Sequence, residues 1–284
     1  MAGLRFWKMH GLGNDYLVFD NRESLLREPE FQRFARRVCR RRFSVGADGV
    51  IALCTPTRGE ADFRMRIFNA DGSEAEMCGN GIRCLAKYIY ENKLSQKRSL
   101  RIETIPGVRV VGLEVSDGTV RSVSVDMGSP EFDRQRITVV GAGDFINQPI
   151  PLDSGEVVGS CVSMGNPHCV IFVEDLGTTP VDALGPQIEN HSLFPQRTNV
   201  EFVKVNDRRN ISVRTWERGC GETLACGTGA CASAVISNLL GKTEKEVTVH
   251  LNGGELHVTL AATVVMKGPA SKVYEGTLSE EEWK

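Results

Sequence analysis

The sequence predicts an α+β protein of two similar halves, each with a mainly antiparallel β-sheet wrapped around a central helix. Short segments that alternate apolar and polar residues recur along the chain, and this period is typical of strands. Two stretches, beginning near Gly81 and Gly229, are apolar on nearly all faces, as expected of buried helices. The same motif, Cys-Gly-x-Gly, opens both stretches.

The two motifs, which begin at Cys78 and Cys226, lie in similar surroundings. A glycine-asparagine pair precedes each motif, with Asn14 lying 64 positions before Cys78 and Asn166 lying 60 positions before Cys226. The glutamates four positions before the two cysteines are Glu74 and Glu222. This repetition predicts two domains with one plan.

Alternation and turn residues define the elements of the first half. Pro29 favours the start of a helix over 28–42, and the glycines and Asn-Asp of His10–Asp15 predict a tight loop. A second helix is predicted over Gly81–Asn92. The predicted strands are Arg5–Lys8, Tyr16–Asp20, Val50–Cys54, Phe63–Phe68, Leu100–Thr104, Val108–Val115 and Val120–Met127.

In the second half, the glycine- and proline-rich segment 128–151 changes the pattern, and a domain junction is expected near its start. Helices are predicted over Pro180–Asn190 and Gly229–Leu240. The predicted strands are Cys161–Met164, Cys169–Val173, Asn199–Val205, Ile211–Trp216, Val247–Leu251, Glu255–Leu260, Thr263–Lys267 and Val273–Thr277.

Composition favours a soluble globular protein. The chain has 284 residues, of which 41% are hydrophobic and 25% charged, and its formal net charge is −2. This balance gives no general attraction to nucleic acid or membranes, and the six arginines between Arg33 and Arg42 are interpreted as a solvated helix face. The chain start lacks the apolar segment of a signal peptide, so cytoplasmic residence is expected, or the plastid stroma if a transit peptide was removed.

The nine cysteines do not predict a disulfide framework or the commonest zinc spacing. Their number is odd, and the chain contains no Cys-x-x-Cys. Cys78 and Cys226 differ from the rest because each stands at a predicted helix start. Backbone N–H groups and the helix dipole there favour a thiolate, so both are expected to be reactive.

Several interpretations of the motifs compete. Gly227–Ala232 loosely fits G-x-G-x-x-A, a weak dinucleotide-binding pattern, and the flanking strands look antiparallel rather than part of a parallel βαβ unit. The cysteines of a hypothetical metal site would be Cys78, Cys84, Cys226 and Cys231. Glycine turns that merely bury cysteines are a further possibility. The repetition favours two catalytic cysteines that face each other across a cleft between the halves.

Two facing thiols suit one reaction in particular. Moving a proton from one face of an amino-acid α-carbon to the other requires a base on one side and an acid on the other. A thiolate and a thiol can fill these roles and exchange them for the reverse direction. Backbone N–H groups at two helix starts would stabilise the charge that develops on the substrate carboxylate, so no cofactor is required.

Five segments together resemble the diaminopimelate epimerase family across almost the whole chain. They are HGLGNDY, FNADGSE-x-x-x-CGNGIRC, MGNPHCV, RTNVEF and ERGxGET-x-ACGTGAC. The resemblance implies interconversion of LL- and meso-2,6-diaminopimelate in lysine and peptidoglycan-precursor biosynthesis, without cofactor or metal, by a homodimer. It also implies one domain of residues 1–122 with 269–284, to which the C-terminal strand returns, and a second of residues 123–268.

The resemblance also implies the roles of individual residues. Cys78 corresponds to the proton donor and Cys226 to the proton acceptor in the LL-to-meso direction, with His168 and Glu217 assisting. The implied substrate-binding residues are Asn14, Asn69, Gly79, Asn80, Asn166, Asn199, Glu217, Arg218, Gly227 and Thr228. Gly49 departs from the glutamine that some family members carry, so a side-chain contact from that position is missing.

Two alternatives remain at this point. A related two-cysteine isomerase of the proline racemase or hydroxyproline epimerase type should lack the ERGxGET and FNADGSE residues that suit a long substrate. A thiol-based redox or binding protein should exchange disulfides rather than place solvent deuterium on a substrate α-carbon.

Overall fold

A computed structural model describes residues 3–153 and 155–283. Contacts divide the chain into two compact units. Unit 1 comprises the described residues up to Asp126 together with the chain from Lys267 onward, and unit 2 comprises Met127–Met266. No described helix is long and apolar enough to cross a membrane.

Unit 1 contains two helices in its long first segment and a short one near the chain end. The helices are α1 (Glu30–Val38), α2 (Gly79–Glu91) and α5 (Glu280–Trp283). The strands are β1 (Leu4–Gly11), β2 (Asn14–Asp20), β3 (Gly49–Cys54), β4 (Phe63–Asn69), β5 (Glu74–Ala75), β6 (Ser99–Thr104), β7 (Gly107–Ser116), β8 (Thr119–Asp126) and β18 (Ser271–Leu278).

Unit 2 repeats the order of elements. Its helices are α3 (Val181–Glu189) and α4 (Gly227–Leu239). Its strands are β9 (Gln148–Leu152), β10 (Gly155–Ser163), β11 (Pro167–Phe172), β12 (Asn199–Asp207), β13 (Asn210–Glu217), β14 (Gly221–Thr223), β15 (Glu246–Leu251) and β16 (Gly254–Leu260). Strand β17 (Val264–Gly268) leads from the last segment of unit 2 into the last segment of unit 1.

Strand directions follow the same plan in both units. From β1 to β7, successive neighbours pair antiparallel (β1–β2), parallel (β2–β3), antiparallel (β3–β4), parallel (β4–β6) and antiparallel (β6–β7). The series β10, β11, β12, β13, β15 and β16 has the same five directions. Register is also repeated, because Tyr16 lies opposite Gly49 and His168 opposite Asn199.

The two central helices are buried on nearly all sides, as predicted. Every residue of α2 from Gly79 to Ile89 is buried, and α4 is buried along most of its length. Alanine, glycine and serine let α4 pack closely against strands, and the Ser233 hydroxyl donates to the Gly229 carbonyl at 2.8 Å. Each helix is therefore surrounded by strands of its own unit.

Several predicted boundaries differ from the structure. The loop expected over His10–Asp15 is a two-residue turn at Leu12–Gly13, with φ of 57° and 89°, because β1 and β2 pair as far as Gly11 and Asn14. Helix α1 ends at Val38, four residues before the predicted end at Arg42. Strands β5, β9 and β14 and helix α5 were not predicted.

The expectation that the strands flanking the second motif are antiparallel was wrong. Strands β13 and β15, before and after α4, pair in parallel over Asn210–Ser212 and Thr248–His250. The helical crossover returns the chain in the direction of the first strand, and the short β14 beside β13 is antiparallel. The alternation of residues carries the strand period but not the strand direction.

Candidate active site

Each motif cysteine is the N-cap of its central helix. Cys78 and Cys226 have extended backbones, with φ and ψ of −138° and 121° and of −113° and 116°. Their sulfur atoms accept hydrogen bonds from the N–H groups of Gly81 at 3.5 Å and Gly229 at 3.4 Å. The two sulfurs therefore occupy equivalent positions at the starts of equivalent helices.

In unit 1, a hydrogen-bonded cluster of Asn14, Tyr16, Cys78 and Asn80 surrounds the first thiol. The Tyr16 hydroxyl lies 3.1 Å from the Cys78 sulfur and donates to Asn14 Oδ1 at 2.5 Å. Asn80 Nδ2 donates to the same oxygen at 3.3 Å. We call these four residues the Cys78 cluster. Asn14 and Asn80 were predicted to lie at the site, whereas Tyr16 was not singled out.

The Cys78 cluster is bounded by an ionic network. Asn14 Nδ2 donates to Asp48 Oδ2 at 2.9 Å, and Arg41 bridges Asp48 and Asp15. Although burial opposes it, hydrogen bonds from Lys8 and Arg41 lower the pKa of Asp15 below its ordinary value. The network keeps carboxylate charge next to Asn14 and fixes the orientation of its amide.

In unit 2, the second thiol lies in an acidic surrounding. Cys226 is 5% exposed, and burial raises the pKa of its thiol well above the ordinary value. The charges of Glu217 and Glu201 raise this pKa further, while Thr228 and the Gly229 N–H oppose the shift. The helix-start N–H of Gly229 favours the thiolate, as expected, but desolvation and two carboxylates outweigh it, so the net shift at Cys226 favours the thiol.

Glu217 is the carboxyl that can exchange a proton with this thiol. Burial raises the pKa of Glu217, while hydrogen bonds from Thr223 and Cys226 and the charge of His168 lower it. The Thr223 hydroxyl donates to Glu217 Oε1 at 2.5 Å. The hydrogen-bond contact between the Glu217 carboxyl and the Cys226 thiol provides the geometry that a proton transfer between them requires.

His168 is buried and contacts Glu201 on one side of its ring and Asn166 on the other. Its Nδ1 is 2.8 Å from Glu201 Oε1, and its Nε2 is 3.0 Å from Asn166 Oδ1. The side chains of His168 and Glu201 have no exposed surface. Glu201 therefore fixes the ring of His168, as a buried carboxylate commonly does for an imidazole.

The predicted residues of unit 2 lie together where neighbouring strands of its sheet begin or end. Asn199 is the first residue of β12 and Glu217 the last of β13. Asn199 Nδ2 donates to the Pro167 carbonyl at 2.8 Å, and its Oδ1 accepts from the Arg218 N–H at 2.9 Å. The Arg218 guanidinium donates to the Gln196 carbonyl at 3.0 Å.

The remaining predicted residues are placed as follows. Gly79 and Asn80 are the first residues of α2, and Gly227 and Thr228 the first of α4, with the Thr228 hydroxyl 3.4 Å from the Cys226 sulfur. Asn69 is exposed at the end of β4 and bonds Ser73 at 3.0 Å, so it does not bond to the Cys78 cluster in this structure.

Gly49 is explained by close packing. A Cβ there would lie 2.6 Å from the Phe68 carbonyl oxygen and 3.3 Å from the Tyr16 ring. The backbone of this chain thus leaves no room for the glutamine that the resemblance associates with the position. The ring of Tyr16 occupies the space where that side chain would begin.

Sequence reasoning missed Tyr16 and Glu201 as site residues. Tyr16 follows Asn14 by two positions, just as His168 follows Asn166, and this shared spacing was an available signal. Glu201 carries no comparable signal, because its contact with His168 depends on the parallel pairing of β11 and β12. The metal alternative gains no support, since residues 3–153 and 155–283 contain no group of three or more His, Cys, Asp or Glu suited to an ion.

Solved structures with the same fold include an epimerase and a biosynthesis protein. A hydroxyproline epimerase from Agrobacterium vitis matches with a TM-score of 0.74 and 17% identity, over 98% of this chain and 94% of that chain. A PhzF-family phenazine biosynthesis protein from Bacillus anthracis matches with a TM-score of 0.71 and 19% identity, over 98% and 100%. These likenesses establish the fold.

Relatives with much higher sequence identity carry the name diaminopimelate epimerase. One from Moorella thermoacetica is 48% identical over 277 residues, 96% of this chain and 98% of the relative. One from Methanothermobacter thermautotrophicus is 49% identical over 280 residues, with the same coverage. The family model described as diaminopimelate epimerase matches residues 6–132 and 160–273. With the repeated fold and its paired N-cap cysteines, these matches show that the chain belongs to the diaminopimelate epimerase family.

Proposed function

We propose that this isomerase interconverts LL- and meso-2,6-diaminopimelate with two thiols and no cofactor. The observation that carries the proposal is the equivalent placement of Cys78 and Cys226 as N-caps of two central helices. The named activity of relatives at 46–49% identity supplies the substrate.

The reaction needs one sulfur on each face of a single α-carbon. In the LL-to-meso direction, the Cys226 thiol first passes its proton to Glu217, and the resulting thiolate removes the α-proton. The Cys78 thiol then gives its proton to the opposite face of the carbon. The reverse direction exchanges the two roles. The contact between Glu217 and Cys226 supports this assignment, since it offers the buried thiol a nearby proton acceptor.

The charge that develops on the substrate carboxylate needs donors. We propose that the N–H groups at the helix starts, at Gly79 and Asn80 and at Gly227 and Thr228, bind this carboxylate. These groups belong to buried helices, so the fold sets the direction in which they point. His168, whose ring is held by Glu201, would assist at the same end of the substrate, where the α-carbon reacts.

A second set of residues would bind the rest of the substrate. We propose that Glu217 and Arg218 bind the distal ammonium and carboxylate groups, for which a carboxyl and a guanidinium are suited. The polar contacts along the substrate are assigned to Asn14, Asn69, Asn166 and Asn199.

The organisation of the enzyme is part of the proposal. We propose two domains, residues 1–122 with 269–284 and residues 123–268, each supplying one thiol. We also propose a cytoplasmic homodimer that contributes to lysine and peptidoglycan-precursor synthesis. Light scattering on the reduced protein should give twice the mass of one chain, and a monomer mass would contradict the dimer.

The test of function is incubation of the reduced protein with LL-diaminopimelate in D2O. We expect the meso isomer to form with deuterium at the inverted α-carbon. Trans-4-hydroxy-L-proline and L-proline should remain unchanged in the same assay, which separates this activity from that of the neighbour of like fold. Absence of both epimer and α-deuterium would refute the proposal, and disulfide exchange in their place would favour a redox protein.

A further inference from the structure

We propose that Tyr16 is a positioning residue for Cys78, whose hydroxyl hydrogen points to Asn14 while the sulfur is protonated and turns to the sulfur once that proton has left. The inference rests on the proposed function, in which Cys78 alternates between thiol and thiolate. It assigns a role to a buried side chain for which neither the motifs nor the reaction scheme accounts.

The first step is the orientation of the Asn14 amide. Its Nδ2 donates to Asp48 Oδ2 at 2.9 Å, and a carboxylate oxygen can only accept. The opposite atom, Oδ1, must therefore be the one that faces Tyr16. Asn80 Nδ2 also donates to this Oδ1, at 3.3 Å, which agrees with the same orientation.

The second step is the count of hydrogens. A tyrosine hydroxyl has one hydrogen, and at 2.5 Å from an amide oxygen that hydrogen is directed to Asn14. The Cys78 sulfur lies 3.1 Å from the Tyr16 oxygen and 3.7 Å from Asn14 Oδ1, so it is then the donor and its one hydrogen is shared between these two oxygens. The arrangement is that of a protonated Cys78 thiol, the form needed to donate a proton to the substrate.

The third step is what happens when the Cys78 proton moves to the α-carbon. The sulfur becomes a thiolate and can no longer donate to Tyr16. Rotation about the C–O bond of Tyr16 then brings its hydrogen to the sulfur, while Asn14 Oδ1 keeps the bond from Asn80. Tyr16 retains its own proton throughout, so proton balance involves only Cys78 and the substrate.

Electrostatics keep Tyr16 a neutral donor. Burial raises the pKa of Tyr16 well above its ordinary value, and the neighbouring Cys78 sulfur and Asp48 carboxylate act in the same direction. The other charged groups near the cluster pair with one another or bond to it: Lys8 on β1 with Asp15 on β2, Arg41 with Asp15 and Asp48, and Arg83 on α2 with Asn80. A Tyr16→Phe change leaves all of these in place.

The consequence concerns the acidity of Cys78. A hydrogen bond to a charged acceptor is stronger than one between neutral groups, so Tyr16 stabilises the thiolate more than the thiol. Removing the hydroxyl should therefore make Cys78 a weaker acid. Unit 2 places His168 at the equivalent register position.

The experiment compares wild type with Tyr16→Phe, which removes one buried hydroxyl and keeps the ring. The rate of Cys78 alkylation by iodoacetamide, followed by peptide mass spectrometry from pH 6 to 11 without substrate, gives the midpoint for thiolate formation. We expect the midpoint to rise by about one pH unit in the variant. In the pH profile of the epimerisation rate, one limb should also be displaced to higher pH in the variant.

Tyr88→Phe is the matched control, because Tyr88 lies on the same helix as Cys78 and packs edge-on against Trp7. It should leave the midpoint unchanged. An unchanged or lower midpoint in Tyr16→Phe would overturn the proposal.

A second measurement uses the wild-type fold. The infrared difference between wild type and Cys78→Ala should contain an S–H band at the lowered frequency of a hydrogen-bond donor, and a band at the frequency of a free thiol would refute the donor assignment. Because the alkylation and infrared measurements use no substrate, their results do not depend on the proposed function. An active Cys78→Ala variant would remove the catalytic role of Cys78 while leaving the Tyr16 result valid.

Discussion

The Arg214 guanidinium donates two parallel hydrogen bonds to the Glu222 carboxylate, Nε to Oε1 at 2.7 Å and Nη2 to Oε2 at 2.8 Å. Arg66 and Glu74 repeat the arrangement in unit 1 at the same two distances. Each ion pair joins the two strands of the hairpin that precedes a motif cysteine, β13–β14 in unit 2 and β4–β5 in unit 1. Strands β14 and β5 have only three and two residues, so the ion pair replaces a longer backbone ladder.

We expect Glu222→Gln to lower the free energy of unfolding by about 1 kcal/mol, because a bidentate charge-assisted pair becomes a neutral contact. The side chains of Arg214 and Glu222 are about three-quarters buried, which limits screening by solvent. Urea unfolding followed by circular dichroism measures the change. Glu244→Gln is the control, since its pair with Arg209 is largely exposed. Equal losses in the two variants would contradict a special role for the hairpin pair.

Glycine at the third position of each central helix allows a close approach. A Cβ at Gly229 would lie 2.6 Å from Glu201 Oε1, an atom held by His168. At Gly81 the nearest atoms are the terminal methyl carbons of Ile51 and Ile67, at 3.0 Å and 3.2 Å. We expect Gly229→Ala to cost about 1–3 kcal/mol of unfolding free energy and most of the activity.

The matched variant for Gly229→Ala is Gly81→Ala. It should remain within about 1 kcal/mol of wild type, because the isoleucine methyl groups can shift and alanine favours a helix. Chemical unfolding and the epimerase assay measure both effects. Equal losses in the two variants would show that contact with Glu201 does not distinguish the two helices.

Reactivity of Cys226 should depend on Glu217. The carboxylate raises the pKa of the Cys226 thiol, so Glu217→Gln should lower it and move the midpoint of Cys226 alkylation to lower pH. The same variant should lose epimerisation, since the proton acceptor is gone. Quantitative peptide mass spectrometry after iodoacetamide treatment reports the midpoint. Glu246→Gln, at an exposed position on β15, is the control. A higher midpoint in Glu217→Gln would contradict the assigned direction of the electrostatic effect.

Much of the fold follows from residue patterns. The repeated spacing of Asn14 to Cys78 and of Asn166 to Cys226 predicts equivalent halves, and the apolar character of α2 and α4 predicts their burial. The apolar character of a helix is a local property, and the repeated spacing is found by counting positions along the chain. Strand direction is not local, and the parallel pairing around α4 was accordingly missed.

The site was predictable in its residue types and less so in its electrostatics. A helix start lowers a thiol pKa in isolation, but at Cys226 burial and the carboxylates of Glu201 and Glu217 dominate. Glu201 is 33 positions from His168 along the chain and reaches it only through the register of β11 and β12. Tertiary packing therefore decides protonation at this site, while sequence motifs locate the thiols.

The most direct test of the two-thiol account is α-deuterium incorporation by single cysteine variants. Wild type, Cys78→Ala and Cys226→Ala are each incubated with LL-diaminopimelate in D2O, and the products are analysed by chiral chromatography and mass spectrometry. The account predicts that wild type yields α-deuterated meso isomer and that neither folded variant yields any. Turnover near the wild-type rate in either variant would contradict it.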